Sequence, residues 1–157
     1  MSNPTTITAT PGTQVVDIER VIDAPVADVY RAYTEAELLA QWMGPRGYDM
    51  KIAKFDVRDG GQWAFVHSNP EGVTFAFHGS YHSVTPRESM VQTFEYEGAP
   101  GHVSLERVTF EAVGDKTTVR VHAVYQTVED RDAMIANGME MGVTEGYERL
   151  DELLVRS

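Results

Sequence analysis

The hydrophobic positions of this chain change period along its length. Between 130 and 155 they recur every three or four residues, at Met139, Val143, Tyr147, Leu150 and Leu154. That is the apolar stripe of an amphipathic helix. Glu140, Glu145, Glu148, Arg149, Asp151 and Glu152 fall mostly on the other face and read as solvated. Between 48 and 126 the period is two. Strands are predicted over 48–57, 61–67, 73–84, 88–97, 102–113 and 117–126. Turn signals separate them at Asp59-Gly60-Gly61, Asn69-Pro70-Glu71-Gly72, Pro86, Gly98-Ala99-Pro100-Gly101 and Gly114-Asp115. Links this short imply an antiparallel meander.

Upstream, Val15 to Ile22 alternates as another strand. Residues 1–14 read as an N-terminal segment that is either a loose tail or, the reading preferred here, a short strand over Thr5 to Thr10 turning at Pro11-Gly12. Asp23-Ala24-Pro25 opens a helix that buries Val26, Val29, Tyr30 and Tyr33, with Pro25 in its first turn. Thr34 and Glu37 have capping-box spacing, which predicts a second short helix with Leu38, Leu39 and Trp42 inward. Thr127 and Asp130 repeat that spacing before the long helix, which is expected to run to 155 with a kink or break at Asn137-Gly138. The order is strand, two short helices, six strands and a long helix. It predicts a single α+β domain over 15–157, a curved antiparallel sheet wrapped around its C-terminal helix. The space between them is where a ligand would sit.

Three glycines interrupt the helix: Gly138, Gly142 and Gly146. Each costs about 1 kcal/mol relative to alanine. Close approach by another surface, or a space kept open, would offset that cost. Gly142 and Gly146 are expected to face the sheet or the cavity.

Alternation puts Trp63, Phe65, His67, Val73, Phe75, Phe77, Gly79 and Tyr81 on one sheet face. Gly79 would leave a gap in that aromatic row. Phe94, Tyr96, Val108, Phe110, Val119, Val121 and Tyr125 continue the face. A plain core has the same pattern, so alternation alone leaves pocket and core both open.

Composition removes several function classes. Lys and Arg number 13 against 24 Asp and Glu, a net charge of −11. That opposes nucleic acid or an anionic membrane as partner. There is no cysteine, hence no disulfide, thiol nucleophile or zinc-thiolate site. Without a membrane-length apolar run or a signal-peptide pattern, a cytoplasmic location is expected. No phosphate loop, dinucleotide fingerprint, nucleophile elbow or zinc-protease motif occurs. His78 and His82 sit about 13 Å apart on a strand, too far for one ion, so no metal is expected. His67 is the one histidine on the inferred inner face. The acidic groups Glu95/Glu97 and Glu148/Asp151/Glu152 are expected to be solvated.

Several stretches resemble a known family. Ile22-Asp23-Ala24-Pro25, Val29-Tyr30, Leu38 to Trp42, Gly44-Pro45-Arg46-Gly47-Tyr48, Gly60-Gly61-Gln62-Trp63, Phe77-His78-Gly79-Ser80-Tyr81 and Gly138-Met139-Glu140-Met141-Gly142 occur in order over about residues 15–155. Together they resemble the activator of heat-shock protein 90 ATPase homologue-like proteins, within the START-like (SRPBCC, Bet v 1-like) superfamily. Met43 departs from the pattern, standing where many relatives have a second Trp. The resemblance implies a helix-grip fold with a hydrophobic cavity. The family's eukaryotic namesakes carry a separate chaperone-binding N-terminal domain, which is not expected here.

The resulting expectation is a binding domain for a small apolar or amphipathic molecule, monomeric or homodimeric, without cofactor or covalent chemistry. Trp42, Trp63, Phe65, Phe77, Tyr81, Phe94, Phe110, Met134, Met139 and Tyr147 would form walls, with Gly142 beside them. Arg46, His67, Tyr81 and Tyr96 would orient the ligand. The alternatives are a cyclase- or dehydratase-like enzyme using the same cavity, and a chaperone-regulating interaction domain.

Overall fold

The computed structural model describes residues 3–155. The ends of the sequence-defined segments, residues 1–2 and 156–157, lie outside it. Eight strands form one antiparallel sheet: β1 (Thr5–Thr8), β2 (Val15–Ile22), β3 (Asp49–Phe55), β4 (Gln62–Ser68), β5 (Thr74–Thr85), β6 (Ser89–Tyr96), β7 (Val103–Val113) and β8 (Lys116–Val124). Their order is β1-β2-β8-β7-β6-β5-β4-β3, and the sheet does not close. Consecutive strands from β3 to β8 are neighbours, as their short turns require. Helices α1 (Val26–Thr34) and α2 (Ala36–Leu39) carry the chain from β2 to β3 at the far edge. Burial alternates along β2, with Val16, Ile18, Arg20 and Ile22 inward. This is the helix-grip fold.

The C-terminal segment is two helices, α3 (Val128–Ala136) and α4 (Met139–Val155). Gly138 takes φ +85°, a left-handed conformation that ends the first helix outright rather than kinking one continuous helix. The two capping boxes differ from expectation as well. Thr127 Oγ1 accepts from Asp130 N at 3.0 Å, but the Asp130 carboxylate turns to His102 Nδ1 at 2.7 Å instead of reaching back. Thr34 is still the last residue of α1, and its hydroxyl donates to Tyr30 O at 2.8 Å. Glu35 therefore caps α2, without a side-chain bond. Pro25 likewise lies just before α1, as its N-cap.

The α4 glycines face a loop, not the sheet. A Cβ on Gly146 would lie 3.4 Å from Gly44 N and 3.5 Å from Trp42 O, and one on Gly142 would lie 3.9 Å from Pro45 Cδ. Their missing side chains let the segment 42–45 seat directly on the helix. Polar bonds fasten it there. Arg149 donates to Gln41 O, Gly44 O and Pro45 O at 3.0–3.3 Å. Glu145 accepts from Arg46 N at 2.9 Å, and Arg46 pairs with Glu152 at 2.7 Å.

Two buried arginines fix the other contacts. Arg20 of β2 reaches Asp151 of α4 at 2.6 Å and Thr5 Oγ1 at 2.7 Å. Asp151 is thus a partner of the core rather than part of a solvated face. Arg131 of α3 donates to Thr10 O at 2.7 Å and to Val15 O at 3.4 Å, tying that helix to the N-terminal hairpin.

Candidate functional site

Strand register builds the inner face. β4 turns Trp63, Phe65 and His67 inward, all buried. Trp63 pairs with Gly79 and Phe65 with Phe77 on β5. Their rings form one cluster: Trp63–Phe65 centroids are 4.8 Å apart, Trp63–Phe94 5.6 Å and Phe77–Phe94 5.1 Å. Tyr96 joins through Phe77 at 5.3 Å. The gap expected at Gly79 is closed, because a Cβ there would meet Trp63 Cε2 at 2.7 Å. Val73 and Phe75, expected on this face, are exposed at 43% and 37%. The Phe75 ring lies at the cluster's outer end, against Tyr48 and Tyr96.

His67 is sealed under the 42–45 loop, where a Cβ on Gly44 would come 3.0 Å from its Nδ1. That nitrogen is buried without a partner, as is Trp63 Nε1. Burial, reinforced by the Arg149 guanidinium, lowers the His67 pKa to about 4.

A second cluster lies between α1, α4 and β7. Trp42 stacks on Tyr147 at 6.4 Å and donates its indole N–H to Ala32 O at 2.9 Å. Tyr33 packs on Trp42 and Phe110, and Tyr30 on Phe110. Met134 and Met139 are half-buried against this core, and Tyr81 is buried. Arg46 is exposed and held by Glu152 and Glu148 on the outside of α4. Its bonds draw it toward the helix surface, away from the role of orienting a ligand in the interior.

Across the centre of the same face runs a polar row. Tyr81 of β5 faces Gln92 of β6, Gln92 faces Glu106 of β7, and Glu106 faces Ala123 of β8. Gln92 Nε2 donates to Glu106 Oε1 at 3.3 Å, a long bond. Burial pushes the Glu106 carboxyl up to about 7, and the Gln92 bond opposes that only weakly. Its charge in turn helps to raise the pKa of Tyr33, Tyr125 and Tyr147, after burial as the main cause. Yet Glu106 keeps part of its accessible surface, and so do Gln92, Phe94 and Val121 on the same face. Glu106 is thus surrounded by protein in mid-sheet and still partly accessible.

The outer face has its own groove, of ≈ 400 Å³, lined in part by Asp17, Glu19, Arg107, Arg120 and His122. There Arg120 is held by Glu19 and Glu111, and His122 by Asp17, so most of its charges already have partners. Glu95 and Glu97 flank His78 on the same outer side.

A family profile described as Activator of Hsp90 ATPase homolog 1-like protein matches residues 23–155. The chain belongs to that family. The chain is similar to a Rhodobacter sphaeroides protein of known crystal structure, with 26% identity, 98% of this chain and 100% of the other covered, and a TM-score of 0.89. Two further structures share the fold. Ms6760 from Mycobacterium smegmatis has 21% identity, 96% and 97% coverage and a TM-score of 0.87. An Arthrobacter aurescens protein solved by NMR has 20% identity, 97% and 92% coverage and a TM-score of 0.88. No curated protein matches the chain. Membership of the Activator of Hsp90 ATPase homolog 1-like family and the helix-grip fold are consistent with a ligand-binding domain.

In this family member the acidic group of the inner face escaped the sequence pattern, although its signal was present. Glu106 has the same parity as Val108 and Phe110, and Ser104 shares it too. A charged residue in phase with a buried row is the anomaly that marks it.

Proposed function

We propose that this protein binds a small amphipathic molecule between the sheet and α4. The apolar body would lie against Trp63, Phe77, Phe94 and Phe110. The polar end would meet Glu106 and Gln92. The observation that carries this reading is Glu106: an enclosed carboxyl with one long hydrogen bond, bordering accessible space. Fold stability alone gives no reason to keep an acid there. Native mass spectrometry of purified protein tests the reading. A co-purified or added amphiphile should bind at one per chain, and its binding should shift the emission of Trp63. Absence of any saturable binding by small amphiphiles counts against it.

The same residue supports a second reading, proton transfer within the cavity. A carboxyl titrating near neutral pH can both take and return a proton, as cyclisation or dehydration requires. Turnover of any substrate found should then vanish in Glu106→Gln. A protein-binding role has less support. The exposed apolar residues are scattered, with Leu105 and Val124 the one cross-strand pair among them. No helix among the described residues is long and apolar enough to cross a membrane. We place the protein in the cytoplasm as part of this proposal.

A further inference from the structure

Resting on the binding reading above, we propose that the cavity ligand carries a basic nitrogen at one end of an apolar body, with Glu106 as its counter-ion.

The argument begins with what Glu106 lacks. Its Oε1 accepts from Gln92 at 3.3 Å, and its Oε2 has no partner among the described residues. The cations buried nearby are committed elsewhere. Arg20 is held by Asp151 at 2.6 Å and Thr5 at 2.7 Å. Arg131 is held by Thr10 O, Thr13, Val15 O and Asp132. The fold therefore supplies no positive charge to this carboxylate.

The surroundings select among ligands. Gln92 approaches from β6, Tyr33 from α1, Tyr147 from α4 and Tyr125 from beyond β8. Tyrosine oxygens and ring faces both stabilise an ammonium group. An anionic ligand end would meet like charge in an enclosed site, where repulsion is poorly screened. A wholly apolar ligand would leave the carboxyl as unpaired as before. A protonated amine satisfies the acid and the rings together, and the apolar cluster of Trp63, Phe77 and Phe94 accepts the rest of the molecule.

The pH dependence follows from the same groups. The three tyrosines are held above their ordinary range, and His67 titrates at about 4. Among these groups Glu106 alone changes charge between about pH 5.5 and 8.

The test uses two probes of nearly equal shape, 1-naphthylmethylamine and 1-methylnaphthalene, titrated into the full-length protein and followed by tryptophan emission. At about pH 8 the amine should bind about tenfold tighter or more. That preference should shrink steadily in the native protein as the pH falls to about 5.5. In Glu106→Gln the ratio should drop to within about twofold. Equal affinities in the native protein, or a preference that survives Glu106→Gln, would overturn the amine assignment and leave the binding reading standing. Failure of both probes to bind saturably overturns the two together. The native pH series decides the matter even if the variant does not fold.

Discussion

On β4 and β5 the inner face is aromatic, and the Phe65 ring lies 4.8 Å from Trp63 and 5.9 Å from Phe77. On β6 and β7 the same face carries Gln92 and Glu106 in mid-strand. The first region is closed by the 42–45 loop, which Arg149 clamps to α4. The second keeps accessible surface around an acid that has no counter-ion. One region follows the rules of a stable core. The other departs from them at a single charged residue, and such departures mark function more often than neglect.

The largest expected effect lies in the aromatic region. Phe65→Ala should cost about 3–5 kcal/mol in chemical denaturation, since the ring is buried and touches Trp63, His67 and Phe77. That loss should vary little with pH. A loss under about 1 kcal/mol would mean the region is not tightly packed.

Glu106→Gln should behave in the opposite way. The folded-state pKa is raised from 4.5 to about 7, so the native state binds the extra proton between those values. Native stability therefore falls as pH rises from 4.5 to 7. Removing the acid should stabilise the protein by up to about 3 kcal/mol above pH 7 and by almost nothing below pH 4.5. Thermal unfolding at a series of pH values reads this directly. A constant difference between variant and native would break the comparison.

His67 sharpens the contrast with the reverse sign. Its pKa is lowered from 6.5 to about 4, so the unfolded state binds the extra proton and stability is lost as pH falls through that window. In His67→Phe the acid-side loss, up to about 3 kcal/mol in the native protein, should disappear.

The smallest effects test the loop that closes the aromatic region. Gly142→Ala should gain about 1 kcal/mol, because the new methyl meets only Pro45 Cδ at 3.9 Å. Gly146→Ala should gain less, with Gly44 N at 3.4 Å. Equal gains would mean that the loop does not press on the helix.

Period-two alternation made the aromatic region legible, because Trp63, Phe65 and Phe77 are large, apolar and in phase. The same rule put Phe75 on the right face but not under cover, since alternation assigns a face without saying where along the strand cover ends. The glycine spacing in the last helix indicated a close approach, but the surface met there is a loop from 105 residues or so upstream in sequence, as the Arg149–Gly44 bond shows. Nothing local encodes such a contact. Asp151 read as solvated because its partner, Arg20, is 131 residues away. Glu106 was missed for a different reason: a charged residue in a strand is ordinarily assigned to the solvent side, although its parity with Val108 and Phe110 put it on the inner face, where register sets it opposite Gln92 and Ala123.

The most direct measurement is a carbon-13 NMR titration of the Glu106 side-chain carboxyl in the free protein. An enclosed acid without a counter-ion should titrate near 7, well above its ordinary 4.5. A midpoint near 4.5 would mean that water or a cation already satisfies the group, and the claim that the fold holds an unpaired acid over an internal space would be wrong.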